Sequence, residues 1–173
     1  MWSKIIIYYL FGIMFFFAIS STMTGILIPE MAKDYGLNNT QIGVIGSIQN
    51  IGGFIAMMLG GILADKIPKI KLIAITFAVY TIVLCLVGIA PVYLILLILF
   101  FALGIANNYL SMLISAYVSE VDQGKKDFYL NMSHAFFGLG SLAGPVYATG
   151  AQQRGQTWNK VFVNLGVLCT AII

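Results

Sequence analysis

The chain has 173 residues, of which 60% are hydrophobic and 9% are charged, and its mean hydropathy is +0.96. Because soluble domains average about 25% charged residues, this composition excludes an ordinary soluble globule and indicates an integral membrane protein. The formal net charge is only +3, and we expect no nucleic-acid partner.

The apolar runs predict an all-α membrane bundle, since a spanning helix needs about 20 mostly apolar residues. The first run is longer than the apolar core of a signal peptide and is predicted to be an uncleaved membrane helix. The last run is still apolar at Ile173, which favours a truncated sixth helix in a fragment of a longer protein. The helices are predicted near residues 5–29, 40–64, 71–90, 92–118, 128–150 and 157–173.

Local signals set the predicted helix ends. Pro29 is expected to end the first helix, and YGLNNT (35–40) supplies turn and capping residues before the second. Pro68 separates the second helix from the third. A turn at Ala90–Pro91 and the polar stretch QQRGQ (152–156) provide two later connections.

The basic residues predict the orientation in the membrane. With a cytoplasmic N-terminus the inside holds six lysines and the outside holds three basic residues, which favours this orientation. The short loops suit a bacterial inner membrane. The inside set is Lys4, Lys66, Lys69, Lys71, Lys125 and Lys126, and the outside set is Lys33, Arg154 and Lys160.

Small residues recur every four positions on two predicted helices. In lipid, where helices have no hydrophobic drive to associate, such residues allow close backbone contact. We therefore predict that these faces, together with the adjacent Pro145, pack against other helices. The second helix has Gly52, Ala56, Gly60 and Ala64, and the fifth has Gly140, Gly144 and Ala148.

Polar side chains inside the apolar runs are the candidates for function, because they are costly at membrane depth. Helices 1, 2, 4 and 5 each carry a polar sector, whereas the third helix has few polar groups and is predicted to lie at the lipid-facing periphery. A shared aqueous cavity would satisfy these groups, and so would hydrogen bonds between helices. The candidates are Ser21, Thr24, Gln49, Asn50, Asn107, Asn108, Ser111 and His134.

His134 is the sole histidine of the chain. Histidine changes charge near neutral pH, so a proton or substrate role and a structural hydrogen bond both stay open. No cysteine or carboxylate stands at ligand spacing from it, and no nucleophile–base arrangement lies at membrane depth. We therefore expect no metal, no cofactor and no enzyme activity.

Two segments resemble a known family. The connector between the second and third helices reads GILADKIPKIK (61–71) and resembles the cytoplasmic loop signature of the major facilitator superfamily, G-x-x-x-D-[RK]-x-G-[RK]-[RK]. Gly61, Asp65, Lys66 and Lys69 match it, while proline and isoleucine stand at positions 68 and 70. NMSHAFFGLGSLAGP (131–145) is similar to the fifth helix of sugar-permease-like members.

The resemblance implies a transporter of two six-helix halves, with this chain as the N-terminal half and the C-terminal half absent. It implies that helices 1 and 4 line a central cavity, that helices 2 and 5 contact the other half, and that helices 3 and 6 are outermost. Asp65 would contact the other half when the cytoplasmic side is closed, so that the loop acts in gating. The implied function is transport of a small polar solute, a sugar or a related metabolite, by alternating access.

Two alternatives stay open from the sequence. The same fold also serves drug or metabolite efflux. A six-helix channel or membrane scaffold that works alone would explain the apolar runs but not the loop signature.

Overall fold

The computed structural model describes residues 2–64, 66–121 and 124–171. Over these ranges the chain is helical and contains no β-strand, which confirms the predicted all-α fold. The elements are α1 (Trp2–Tyr35), α2 (Asn39–Ala64), α3 (Lys69–Val87), α4 (Tyr93–Val121), α5 (Lys126–Gln153) and α6 (Trp158–Thr170).

Four of these helices are long and apolar enough to cross a membrane, over Ile5–Tyr35, Asn39–Met58, Lys69–Val87 and Tyr93–Val121. The fifth helix has 28 residues but a more polar composition, because Asn131 and His134 interrupt its apolar run. The sixth is described over 13 residues.

The prediction that Pro29 ends the first helix is wrong. Proline disrupts a helix by removing its own N–H donor and crowding one carbonyl, a defect that membrane helices tolerate. The helix continues to Tyr35 and ends at Gly36, whose φ of +64° is the left-handed conformation that glycine adopts readily. The N–H of Gly36 donates to Lys33 O at 3.3 Å and that of Leu37 to Ala32 O at 2.8 Å, which satisfies the last carbonyls.

The start of α2 is a reciprocal cap, as the residues 35–40 predicted. The Gln41 N–H donates to Asn38 Oδ1 and the Asn38 N–H donates to Gln41 Oε1, each at 2.9 Å.

We expect Asn38→Ala to lower the free energy of unfolding by about 1 kcal/mol, because an exposed helix start loses its side-chain acceptor. The control is Asn39→Ala, one residue further on in α2. Thermal unfolding of the detergent-solubilised protein measures both, and an equal effect of the two substitutions would contradict the role of the cap.

Helix α4 is the centre of the bundle, with no exposed residue between Leu99 and Ser119. It packs along α2 and against α3, while α1 packs along α5, and α3 also contacts α6. The outer face of α3 carries exposed apolar side chains (Ile75, Val79, Ile82 and Leu86) and its opposite face is buried. This arrangement fits a helix at the lipid-facing periphery.

Polar bonds connect the helices at one end of the bundle. Trp158 Nε1 donates to Asp34 Oδ2 at 2.6 Å, and Gln152 Nε2 donates to Glu30 Oε2 at 3.2 Å. The Tyr35 hydroxyl donates to the Ala90 carbonyl at 2.6 Å. These contacts attach α1 to α5, to the start of α6 and to the turn between α3 and α4.

Candidate functional site

The polar candidates of α1 and α4 lie near the middle of the membrane-spanning length. Helices α3 and α4 are antiparallel, because a short turn joins them at one end and Lys69 pairs with Glu120 at 3.0 Å at the other. Their centres, near Tyr80 and Asn107, therefore lie at similar depth. The Tyr80 hydroxyl donates to Ser20 Oγ, which places the serines of α1 at that depth too.

Three of the candidates are exposed on the surface of the bundle. Ser21, Asn50 and His134 project from α1, α2 and α5. Within the described part of the chain none of these side chains has a hydrogen-bond partner. Gln49 is half-buried beside Asn50. A polar side chain on the outside of a membrane bundle needs water, a solute or another protein segment to satisfy it.

The remaining candidates lie inside the bundle. Thr24 Oγ1 donates to the Ser20 carbonyl at 2.8 Å, and Asn108 Nδ2 donates to the Gly104 carbonyl at 3.1 Å, so both bond within their own helices. Asn107 is 4% exposed, and its Oδ1 has no donor among the described residues. Ser111 is half-buried.

The single polar sector predicted on α1 is divided by the structure. Adjacent helical residues point about 100° apart, so Ser20 and Thr24 face the interior while Ser21 faces outward. The interior pair belongs to a polar contact with α3 that the sequence did not reveal. The available signal for this contact was Tyr80, which stands in the middle of an apolar run, because a buried hydroxyl usually finds a hydrogen-bond partner.

The glycine faces of α2 and α5 contact helices of this same bundle. A β-carbon on Gly52 would collide with the Phe101 carbonyl oxygen, and one on Gly60 would lie 2.7 Å from Met112 Cε, both on α4. On α5, β-carbons on Gly140 and Gly144 would lie 2.8 Å from Ala18 Cβ and 2.6 Å from the Ile19 carbonyl oxygen of α1. The half-buried Pro145 follows this face within α5.

Gly104 has an equivalent role on α4, although sequence reasoning did not find it. A β-carbon at this position would collide with the Gln49 backbone carbonyl of α2. The two helices can therefore approach this closely only because residue 104 is a glycine.

The connector between α2 and α3 brings charged residues together beside α4. Lys69 pairs with Glu120, and both line a shallow pocket of about 410 Å³ together with Lys66 and Tyr117. Gly61 and Lys66 are exposed. Asp65, the acidic residue of the loop signature, lies outside the described residues.

Within the described ranges, no three His, Cys, Asp or Glu side chains are grouped as metal ligands. The candidate residues carry neutral amides, hydroxyls and one imidazole. Such groups can bind a polar solute by hydrogen bonds, since amides both donate and accept.

The family model of the Major Facilitator Superfamily matches residues 10–173. The chain belongs to the Major Facilitator Superfamily. This confirms the resemblance to the superfamily, and the six helices correspond to one half of the family's fold. The protein is therefore an integral membrane protein of a transporter family.

A curated relative named "Probable sulfoacetate transporter SauU", from Cupriavidus necator, is 26% identical over 159 residues. The match covers 90% of this chain and 36% of the relative, so the chain spans about a third of that protein's length.

Proposed function

We propose that the chain is the N-terminal half of a secondary transporter that moves a small polar solute by alternating access. The observation that carries the proposal is the exposure of Ser21, Asn50 and His134 on a bundle whose outer surface is otherwise mainly apolar. Lipid cannot satisfy these groups, whereas a water-filled solute path can. The N-terminus would be cytoplasmic, and the membrane a bacterial inner membrane.

The faces of α2 and α5 that point away from this bundle supply the surface for a second half. Exposed apolar residues on these faces include Phe54, Met57 and Met58 on α2 and Leu139 and Leu142 on α5. Polar Asn50 and His134 interrupt them. A second six-helix half packed here would enclose a partly polar path between the two halves.

The gating role of the connector between α2 and α3 belongs to the same proposal. Glu120 pairs with Lys69 at 3.0 Å, which fixes the start of α3 to the end of α4. Lys66 stays exposed beside this pair. A charged, exposed connector at this place can contact a second half in one state and release it in the other, which biases the equilibrium between states.

The solute class that we propose first is a sugar or related hydroxylated metabolite. Gln49 and Asn50 carry side-chain amides that donate and accept hydrogen bonds, and Ser21 adds a hydroxyl. Neutral groups of this kind match the hydroxyls of a sugar without needing a compensating charge. The similarity of residues 131–145 to sugar-permease-like members points the same way.

A small organic anion is the second candidate. The name of the C. necator relative specifies sulfoacetate, which carries carboxylate and sulfonate groups. His134 is the exposed candidate side chain that can become cationic. In this case the imidazolium would attract the anion, and amides of α2 would orient it.

Uptake into proteoliposomes by the full-length protein tests the proposal. The panel contains labelled hexoses, hydroxy acids and short sulfonates. We expect saturable uptake of one class, and unlabelled solute of that class should reduce it by competition. Asn50→Ala should reduce kcat/KM roughly 2- to 10-fold, because one lost solute hydrogen bond is worth about 0.5–1.5 kcal/mol. Ser47→Ala is the control, because Ser47 is exposed on α2 and its hydroxyl bonds to the Gly43 carbonyl at 3.0 Å.

The variant His134→Gln separates the two solute classes. Glutamine keeps a hydrogen-bonding side chain but cannot carry a positive charge. Uptake of a sugar should therefore change little, while uptake of an anion should be largely lost. Ion conductance without saturable uptake would instead indicate a channel and contradict the transporter proposal.

A further inference from the structure

A groove between α5 and α6 stands apart from the candidate solute path. Its volume is about 550 Å³, and it opens beside the connector between the two helices. The rim near the connector is polar and the wall further along the helices is apolar. The rim residues are Arg154, Gln156 and Asn164, and the apolar wall includes Val146, Val167 and Leu168.

This change of polarity runs along the membrane normal. Val146 precedes Arg154 by two helical turns, which places it roughly 12 Å deeper at about 1.5 Å per residue. The end of the bundle that carries Arg154 also carries Lys33, Asp34 and Lys160, which are all exposed. Charged side chains are costly inside the apolar layer and therefore mark the membrane–water boundary. The polar rim therefore lies at headgroup depth and the wall lies among acyl chains.

Arg154 provides a positive charge at the rim. It is the sole arginine of the chain and is exposed. Within the described ranges no carboxylate pairs with it, and the two acids at this end, Glu30 and Asp34, accept from Gln152 and Trp158. Next to it Asn164 Nδ2 donates to Gln156 Oε1 at 3.2 Å, which leaves the Gln156 amide N–H groups available. A guanidinium with amide donors beside it suits a phosphate group.

We propose that this groove binds an anionic glycerophospholipid. The phosphate is held by Arg154 and the Gln156 amide, and one acyl chain lies along Val146, Val167 and Leu168. Basic pockets between membrane helices bind anionic headgroups in this way. A soluble anion would match the polar rim but would leave the apolar wall uncovered. The rim and the wall together therefore favour a lipid.

Thermal unfolding of the full-length, delipidated protein in mixed micelles tests the site. Phosphatidylglycerol should raise the Tm by roughly 2–4 °C more than phosphatidylcholine does, as expected for a ligand that binds only the folded state. The variant Arg154→Gln should lose this difference and Arg154→Lys should keep part of it. The matched control is Lys160→Gln, an exposed cation at the same end that does not line the groove and should keep the full difference.

A second variant fills the groove and leaves Arg154 unchanged. Gly150 lines the groove, and a β-carbon there meets no atom within 4 Å. Gly150→Leu should therefore abolish the response to phosphatidylglycerol while leaving the Tm in phosphatidylcholine unchanged.

Three results would overturn the proposal. Equal Tm values in the two lipids would exclude recognition of the anionic headgroup. A response to inorganic phosphate as large as that to phosphatidylglycerol would assign the rim to a soluble anion. Destabilisation by Gly150→Leu in both lipids would mean that another protein segment covers the groove.

Discussion

Gly104→Leu should abolish the accumulation of folded, monodisperse protein. Gly104 lies on α4 where the backbone of α2 is closest, and a β-carbon would sit 2.8 Å from the Gln49 carbonyl carbon and 3.1 Å from its Cα. These are backbone atoms, so no side chain can rotate away, and the two helices would have to separate. Overpacking of this kind costs on the order of 3 kcal/mol or more.

Size-exclusion chromatography and thermal unfolding after detergent extraction measure this effect. Gly46→Leu is the matched control, because Gly46 is exposed on α2 and a β-carbon there meets nothing within 4 Å. A Gly104→Leu protein with the elution profile and Tm of the Gly46→Leu protein would contradict the close α2–α4 contact.

Trp158→Ala should destabilise the protein by about 3–5 kcal/mol, the usual cost of removing a buried aromatic side chain. Trp158 is 1% exposed at the start of α6, and its ring lies against Tyr35 and Phe162 with centroids 5.8 and 6.3 Å away. Its Nε1 also donates to Asp34 Oδ2 at 2.6 Å. The substitution leaves a cavity and removes the bond that attaches α6 to α1.

The comparison for this prediction is Phe128→Ala, which truncates an aromatic side chain that is 60% exposed. Thermal unfolding of both variants in the same detergent gives the two changes in Tm. If Trp158→Ala lowers the Tm no more than Phe128→Ala does, α6 is not held by this contact.

The number of helices followed from the sequence. In lipid every backbone polar group must be satisfied within the segment, so a long apolar run has essentially one available conformation. The failure at Pro29 has a local cause. Proline predicts a helix end well in water, but in a membrane the helix tolerates the defect, and the actual end at Gly36 depends on its left-handed φ.

The contacts between helices were less accessible to sequence reasoning. Gly140 and Gly144 stand out because they form a repeat, whereas Gly104 has phenylalanine and asparagine four positions away on either side. Its importance appears only when α2 is known to be the neighbour. The contact between Tyr80 and Ser20 is of the same kind, since it joins residues 60 positions apart in the sequence.

The burial of the polar candidates also depends on contacts that the sequence does not reveal. Periodicity places Asn107 and Asn108 on one side of a helix, but burial depends on the helices around it. The structure buries Asn107, whereas Asn50 and His134 are left on the surface. Sequence reasoning named all three as candidates, and the proposed solute path now rests on the two surface positions.

The central claim is that the exposed polar residues face a water-filled solute path, and cysteine accessibility tests it most directly. In the full-length protein with Cys85 and Cys169 replaced by alanine, single cysteines are placed at Ser21, Asn50 and His134 and treated with a membrane-impermeant thiol reagent. Cysteines at the exposed apolar positions Ile82 and Ile98 serve as lipid-facing controls. We predict fast labelling at the three polar positions, slowed by the transported solute, and little at the two controls. Equal, slow labelling at all five positions would contradict the path and with it the proposed mechanism.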